Sequence, residues 1–334
     1  MSAKEKISVL LVNLGSPEAP TPEAVRPYLK EFLSDPRVIE VSPWIWKPIL
    51  HGIILRTRPK ASAAKYKTVW TPEGSPLIVH TRALASALQK EFEALAPGAV
   101  QVDWAMRYGA PSVKEVLERI HLKDGIQKVL VVPLYPQYSA TTTATVCDAL
   151  GAALAGMRSQ PAVRILRDYH DHPLYIRAIA DSIRAHWEQK GGLESDFRLV
   201  LSFHGMPKSY SDKGDPYLSQ CRRSAELIRN ELGVSEEKCL MTFQSRFGKE
   251  EWLQPYTDVT VRGLAEKGIK RLDILCPGFS ADCLETLEEI DGEVREEFIG
   301  KGGQEFNYIG CLNAEERWAA SFTKILENEL GGWI

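Results

Sequence analysis

A chain of 334 residues with 44% apolar and 25% charged side chains has the length for about two globular domains and the composition to bury a core. Its formal net charge of −3, with both signs scattered along the chain, excludes the basic footprint that a phosphate backbone demands, so no nucleic-acid partner is expected. The apolar run from Ile7 to Val12 is too brief for a signal peptide or a membrane span, and the cysteines (147, 221, 239, 276, 283 and 311) form no Cys-x-x-Cys pair, which argues against a disulfide framework or a locally built zinc or iron–sulfur site and predicts a cytoplasmic protein.

Short β-branched runs recur along the chain, each followed by a turn and a helical pattern. They are Ile7–Asn13, Val100–Arg107, Val129–Leu134 and Val163–Leu166, then Leu199–Phe203, Leu240–Phe243, Leu272–Leu275 and Phe306–Ile309. Strands alternating with helices predict parallel sheets in βαβ units. The Gly191-Gly192 region, after a helical stretch at Leu174–Gln189, marks the expected boundary, with residues 1–190 forming an N-terminal half and 191–334 a C-terminal half. The halves echo one another: their first strands end in Gly15-Ser16-Pro17 and Gly205-Met206-Pro207, and their second strands in Arg107-Tyr108-Gly109 and Arg246-Phe247-Gly248. The third strands also match, Pro133 to Ser139 against Pro277 to Ser280, and a duplicated α/β unit is the simplest account. In such sheets ligands sit beyond the carboxyl ends of the strands.

Four strand ends carry chemistry. In Leu201-Ser202-Phe203-His204-Gly205-Met206-Pro207, a histidine closes a strand just where glycine and proline turn the chain, so its imidazole can take a proton or ligate a divalent metal. In the segment from Cys276 to Ile290, a strand and tight turn lead into a helix capped by Ser280 or Asp282, with Glu285 and Glu289 on one helical face. The run Tyr135-Pro136-Gln137-Tyr138-Ser139 offers aromatic rings to a planar ligand, and Gln244-Ser245-Arg246, with Trp252 beyond it, offers donors suited to a carboxylate. The apolar segment Pro43–Leu55 is followed by Arg56, Arg58, Lys60, Lys65 and Lys67; a core helix is the more frequent meaning of that pattern, and a lip for an amphipathic ligand or weak peripheral membrane contact is the alternative.

Taken in order and spacing, Asn13-Leu14-Gly15, Gly74-Ser75-Pro76, Met106-Arg107-Tyr108, Tyr135–Ser139, Ser202-Phe203-His204-Gly205, Gln244-Ser245 and Asp282–Leu287 resemble the ferrochelatase family from about residue 7 to 325. The resemblance implies an α/β fold of two Rossmann-like halves, each a parallel four-stranded sheet flanked by helices, with a porphyrin cleft between them. It also implies that Fe(II) is inserted into a porphyrin without ATP, and no Gly-x-Gly-x-x-Gly follows any strand. His204 and Glu285 match the residues nearest the metal, Glu289 a carboxylate leading away from it, and Leu14, Arg58, Lys60, Tyr66, Ser75, Arg107, Tyr135 and Ser245 match porphyrin-contacting positions. His172 aligns with a histidine for which a structural role is expected. Two features depart from parts of the family: Cys283 stands where some members carry histidine, and the cysteine-bearing extension of others is missing, so no [2Fe–2S] cluster and no permanently bound cofactor is expected.

Either His204 or Glu285 can be the proton acceptor, the other then meeting the metal. Protoporphyrin IX is the expected substrate, with coproporphyrin III as the alternative, and the protein is expected as a monomer or homodimer. The rival activities are a cobalt chelatase of the same architecture and a non-catalytic porphyrin carrier.

Overall fold

A computed structural model describes residues 6–190, 197–246, 248 and 250–334. The eight expected strands are present as β1 (Ile7–Gly15), β2 (Val100–Tyr108), β3 (Lys128–Pro133), β4 (Ala162–Ile165), β5 (Phe197–His204), β6 (Cys239–Gln244), β7 (Arg271–Leu275) and β8 (Glu305–Ile309). They form two four-stranded sheets, ordered β2-β1-β3-β4 and β6-β5-β7-β8, with every pairing parallel. The same order in both sheets agrees with a duplicated unit. The central strands read as largely apolar runs because helices cover both faces of a parallel sheet: eight of the nine residues of β1 are buried. In the first sheet Leu10, Val12, Val129 and Val131 pack against Leu117 and Val146; in the second, Val200, Leu272 and Ile274 pack against Ile290 and Phe298.

The chain divides into one compact unit of residues 1–168 with 314–334 and a second of 169–313. These bounds differ from the expected 1–190 and 191–334, for a reason of packing. Helix Pro173–Lys190 buries Tyr175, Ile179 and Ile183 and lies against helix Tyr217–Leu232, so it belongs with the second sheet. Helix Glu316–Glu329 returns to the first unit, where it packs on helix Pro76–Leu95. There Arg164 donates to the carbonyls of Glu329 and Gly331 at 2.7 and 3.0 Å and stacks on Trp333. The Gly191-Gly192 boundary and Phe247 of the repeated Arg-aromatic-Gly motif lie outside the described residues.

The apolar segment after Ser42 is not a core helix. It forms helix Pro43–Ile49, a π turn at Leu50–Ile54 and helix Leu55–Val69, and none of Pro43–Ile49 is buried. Trp44 is 90% exposed and Ile45 60%, while Trp46 fastens the segment by donating its indole N–H to the Leu33 carbonyl at 2.6 Å. Among the described residues no helix is long and apolar enough to cross a membrane.

Candidate active site

In the second unit β5 delivers His204 to the carboxyl end of the sheet, where its backbone pairs with Gln244 of β6. The Gly205 N–H donates to the Gln244 carbonyl at 2.7 Å, and a Cβ on Gly205 would lie 2.5 Å from that oxygen, so the turn after the histidine requires glycine. The chain then runs antiparallel to the segment after β6, bridging Pro207 to Trp252. Nδ1 of His204 lies 2.6 Å from the Gly205 carbonyl. A carbonyl only accepts, so Nδ1 donates in this contact, and Nε2 is the ring nitrogen left for other partners. The Tyr217 hydroxyl donates to the His204 carbonyl at 3.0 Å, and the Phe279 ring lies 6.3 Å from the imidazole. Tyr217 is a contributor that sequence reading missed, because nothing in its local pattern distinguishes it from a core tyrosine.

The acidic side of the site starts from Asp282. Its buried carboxylate accepts from the Tyr308 hydroxyl, from Asn313 Nδ2 at 2.7 Å, from the Cys311 N–H at 3.2 Å and from the Thr286 hydroxyl at 3.3 Å. Its own N–H donates to Asn313 Oδ1 at 2.8 Å. These bonds lock the loop after β7 to the chain beyond β8 and thereby fix where the next helix begins. That helix, Glu285–Val294, is a π-helix and not the α-helix expected from the sequence. Residues four apart remain neighbours in a turn that closes at i+5, so Glu285 and Glu289 still lie on adjoining positions.

Glu289 is held by Ser245: one carboxylate oxygen accepts from the Ser245 N–H at 2.7 Å, and the other accepts from its hydroxyl. Ser245 sits in the left-handed region at φ 63°, and both donors point to one carboxylate from that conformation. Burial raises the Glu289 pKa, against the Ser245 hydrogen bonds and the nearby His204, while Glu285 adds to the rise. One carboxyl group therefore feels both the imidazole and the second carboxylate, which brings His204, Glu285, Glu289 and Ser245 into one constellation. Imidazole nitrogen and carboxylate oxygen are ligand types that a divalent ion accepts, though among the described residues no group of three or more His, Cys, Asp or Glu side chains is gathered so as to hold one. Arg246, expected to hold an incoming carboxylate, instead pairs with Asp258 at 2.9 Å and lies over the Tyr256 ring. His172 accepts the Leu174 N–H at Nδ1, 3.2 Å away, and so closes the start of helix Pro173–Lys190, a structural task.

In the first unit Leu14, Arg107 and Tyr135 come from the carboxyl ends of β1, β2 and β3. Arg107 pairs with Asp35, donates from Nε to the Thr145 carbonyl at 2.8 Å and stacks on Tyr108, whose hydroxyl also donates to Asp35 at 2.9 Å. The Tyr135 hydroxyl is buried with no hydrogen-bond partner among the described residues, and burial drives its pKa far up. A buried phenol lacking a partner suits a polar group brought by a ligand or water. Ser75 is buried at the start of helix Pro76–Leu95, and its side chain makes no capping bond. Arg58, Lys60 and Tyr66 lie on helix Leu55–Val69; Tyr66 is buried edge-on to Trp70, Lys60 is exposed, and burial lowers the pKa of half-buried Arg58. Asp35, which orients Arg107, escaped sequence reading because the two stand 72 residues apart.

Comparison with known proteins completes the picture. A family model described as Ferrochelatase matches residues 6–330. A ferrochelatase from Aromatoleum aromaticum is 52% identical over 330 residues, covering 99% of this chain and 89% of that protein. Among solved structures, SirB from Bacillus subtilis with Fe3+ is similar with a TM-score of 0.57 at 12% identity, covering 98% of this chain and 97% of that one. DR2241 from Deinococcus radiodurans, a multi-domain protein with structural similarity to chelatases, has a TM-score of 0.56 at 12% identity, over 96% of this chain and 54% of that one. At that identity the two structures speak for the chelatase-like fold alone.

Proposed function

The chain belongs to the ferrochelatase family, enzymes that insert Fe(II) into a porphyrin in heme synthesis, and on that premise we propose protoporphyrin IX as its substrate, with His204 and Glu285 at the metal and Glu289 as the next proton station. Insertion replaces two pyrrole protons by one Fe(II), so the charge on the ring is conserved and two protons must leave. The observation that carries the assignment is the contact of His204 Nδ1 with the Gly205 carbonyl, which leaves Nε2 to accept a proton, on a ring near enough to Glu289 to favour that carboxylate's charged form. His204 Nε2 takes a pyrrole proton and passes it toward Glu289, whose raised affinity for protons suits it to receive one. Glu285 supplies an oxygen ligand to the incoming ion, which exchanges it for ring nitrogens as the protons depart.

Leu14, Arg107 and Tyr135, with Ser75, Tyr66, Arg58 and Lys60, are the proposed ring and propionate contacts of the first unit. The Tyr135 hydroxyl supports this reading because it is buried and has no hydrogen-bond partner among the described residues. Ser245 acts through Glu289. The exposed apolar lip at Trp44 and Ile45 favours protoporphyrin, with two propionates and two vinyl groups, over coproporphyrin, with four propionates. The test is anaerobic metallation of each porphyrin by Fe(II), followed by absorbance, with wild type beside His204→Ala and Glu285→Gln. Both variants are expected to bind porphyrin and to lose turnover. Wild-type protein that binds porphyrin and metallates it no faster than buffer would make it a carrier, and faster turnover of coproporphyrin would reverse the substrate assignment.

A further inference from the structure

Gln244 adjoins His204, Glu285 and Ser245 of the constellation in the second unit. It is the last residue of β6, only 3% exposed, with its backbone paired to His204. Its side-chain Nε2 donates to the Glu285 carbonyl at 2.9 Å. Its Oε1 accepts from the Ser202 hydroxyl at 2.9 Å and from the Cys276 thiol at 3.5 Å. Its backbone carbonyl takes the Gly205 N–H that shapes the turn after the histidine, and its neighbour Ser245 holds the Glu289 carboxylate. We propose that Gln244 is a positioning residue for metal insertion, a buried amide that ties the histidine-bearing strand to the first residue of the π-helix and so sets the spacing of His204 Nε2 and the Glu285 carboxylate. The proposal rests on the reading that these two groups handle proton and metal.

The amide is suited to this position because it meets opposite needs at its two ends. The Glu285 carbonyl can only accept, so the NH2 end must face the helix, which leaves the oxygen to face Ser202. Ser202 is braced in turn by Thr257 at 2.9 Å, and Thr257 by Thr242 at 2.8 Å, all of them fully buried or nearly so. The Glu285 carbonyl thus selects one orientation of the amide, and the chain of buried hydroxyls, each able to donate or accept, adapts to it. The sheet does not need this contact: β5, β6 and β7 are held by their own ladders and by an apolar core. Losing it should therefore loosen the site before it loosens the fold.

The experiment compares wild type with Gln244→Met, which removes all three of these side-chain bonds, and Gln244→Glu, which keeps the Ser202 bond but sets an oxygen against the Glu285 carbonyl. Ser202→Ala and His204→Ala run beside them. Fe(II) insertion into protoporphyrin is measured anaerobically for kcat and for both KM values, porphyrin binding by fluorescence, and folding by thermal melting. Both Gln244 variants are expected to stay folded with a lowered melting temperature, because buried partners of the amide are left unpaired, to bind porphyrin like wild type, to lose about 10- to 100-fold in kcat, and to raise the KM for Fe(II) more than that for porphyrin. Ser202→Ala should shift the same parameters the same way by less. Folded Gln244 variants within about twofold of wild type in kcat and Fe(II) KM would overturn the proposal, as would a loss that tracks melting and porphyrin binding equally. If neither Gln244 variant folds, Ser202→Ala decides: the same selective loss supports positioning, and wild-type kinetics refutes it. His204→Ala inserting iron at the wild-type rate would remove the metal reading itself and the proposal with it. A dead His204→Ala beside unaffected Gln244 variants would remove Gln244 alone.

Discussion

Glu289 draws its properties from two opposed neighbourhoods. Burial and Glu285 disfavour its charge, while the Ser245 donors and His204 favour it, and burial prevails, so its pKa is raised. A carboxyl that binds protons more tightly folded than unfolded adds stability below the ordinary carboxyl range, and that contribution is lost as pH rises through the raised value. Glu289→Gln should therefore gain in melting temperature relative to wild type as pH climbs through that window, and a difference that stays flat or runs the other way refutes the raised pKa. In the reaction the same shift acts on turnover: a proton station that stays occupied cannot accept the next proton, so insertion should decline on acidification at a higher pH than an ordinary carboxyl would dictate. Asp35 carries the residue-scale argument in the first unit. Its carboxylate, 6% exposed, is shared by Arg107 and Tyr108, so Asp35→Ala strands a guanidinium only 15% exposed and a buried phenol. Denaturant melts should record a loss of about 3–5 kcal/mol, the usual cost of breaking one side of a buried pair; a loss under about 1 kcal/mol would mean that Arg107 finds another partner.

At the scale of elements, the two sheets repeat one device that the sequence displayed without explaining. Gly15 and Gly205, the glycines of the repeated Gly-x-Pro turns, each meet the end of the neighbouring strand: a Cβ would lie 1.8 Å from the Tyr108 carbonyl at Gly15 and 2.5 Å from the Gln244 carbonyl at Gly205. Gly15 also holds φ at 114°. Gly205→Ala should cost about 1–3 kcal/mol, as forced overpacking does, and should depress turnover further because the displaced chain carries His204; wild-type stability would show that the strand ends can part without penalty. The strands themselves were legible because parallel sheets covered on both faces write continuous apolar runs, and the strand-end motifs because each closes such a run. The π form of Glu285–Val294 was not legible, since apolar spacing over ten residues fits i+4 and i+5 turns alike. Nor was the Asp282 clamp, whose partners Tyr308, Cys311 and Asn313 lie a full helix and strand further along the chain.

At the scale of the whole molecule, amphipathic helices announce that they cover a core but not which one. That is why residues 173–190 were assigned with the first sheet and 314–334 with the second, each opposite to where the packing places it. The apolar pattern of Pro43–Leu55 likewise suits a core helix, but Leu50 and Leu55 are buried while Pro43–Ile49 has no buried residue. An exposed Trp44, Ile45 and Ile53 beside exposed Lys47, Arg56 and Lys60 combines apolar anchors with cations, the pairing that favours weak attachment to an anionic bilayer surface. Burying an exposed large apolar side chain contributes about 1.5–3 kcal/mol, so replacing Trp44 and Ile45 together by serine should weaken binding to phosphatidylserine vesicles by well over tenfold. The melting temperature should barely move, because side chains 90% and 60% exposed contribute little to the core. Binding should also fade with added salt, since the cations act within a Debye length of about 8 Å at physiological ionic strength. Sedimentation with vesicles measures both effects: equal binding by wild type and the double variant would dismiss the lip as a membrane contact, and salt-independent binding would dismiss the role given to the lysines and arginine.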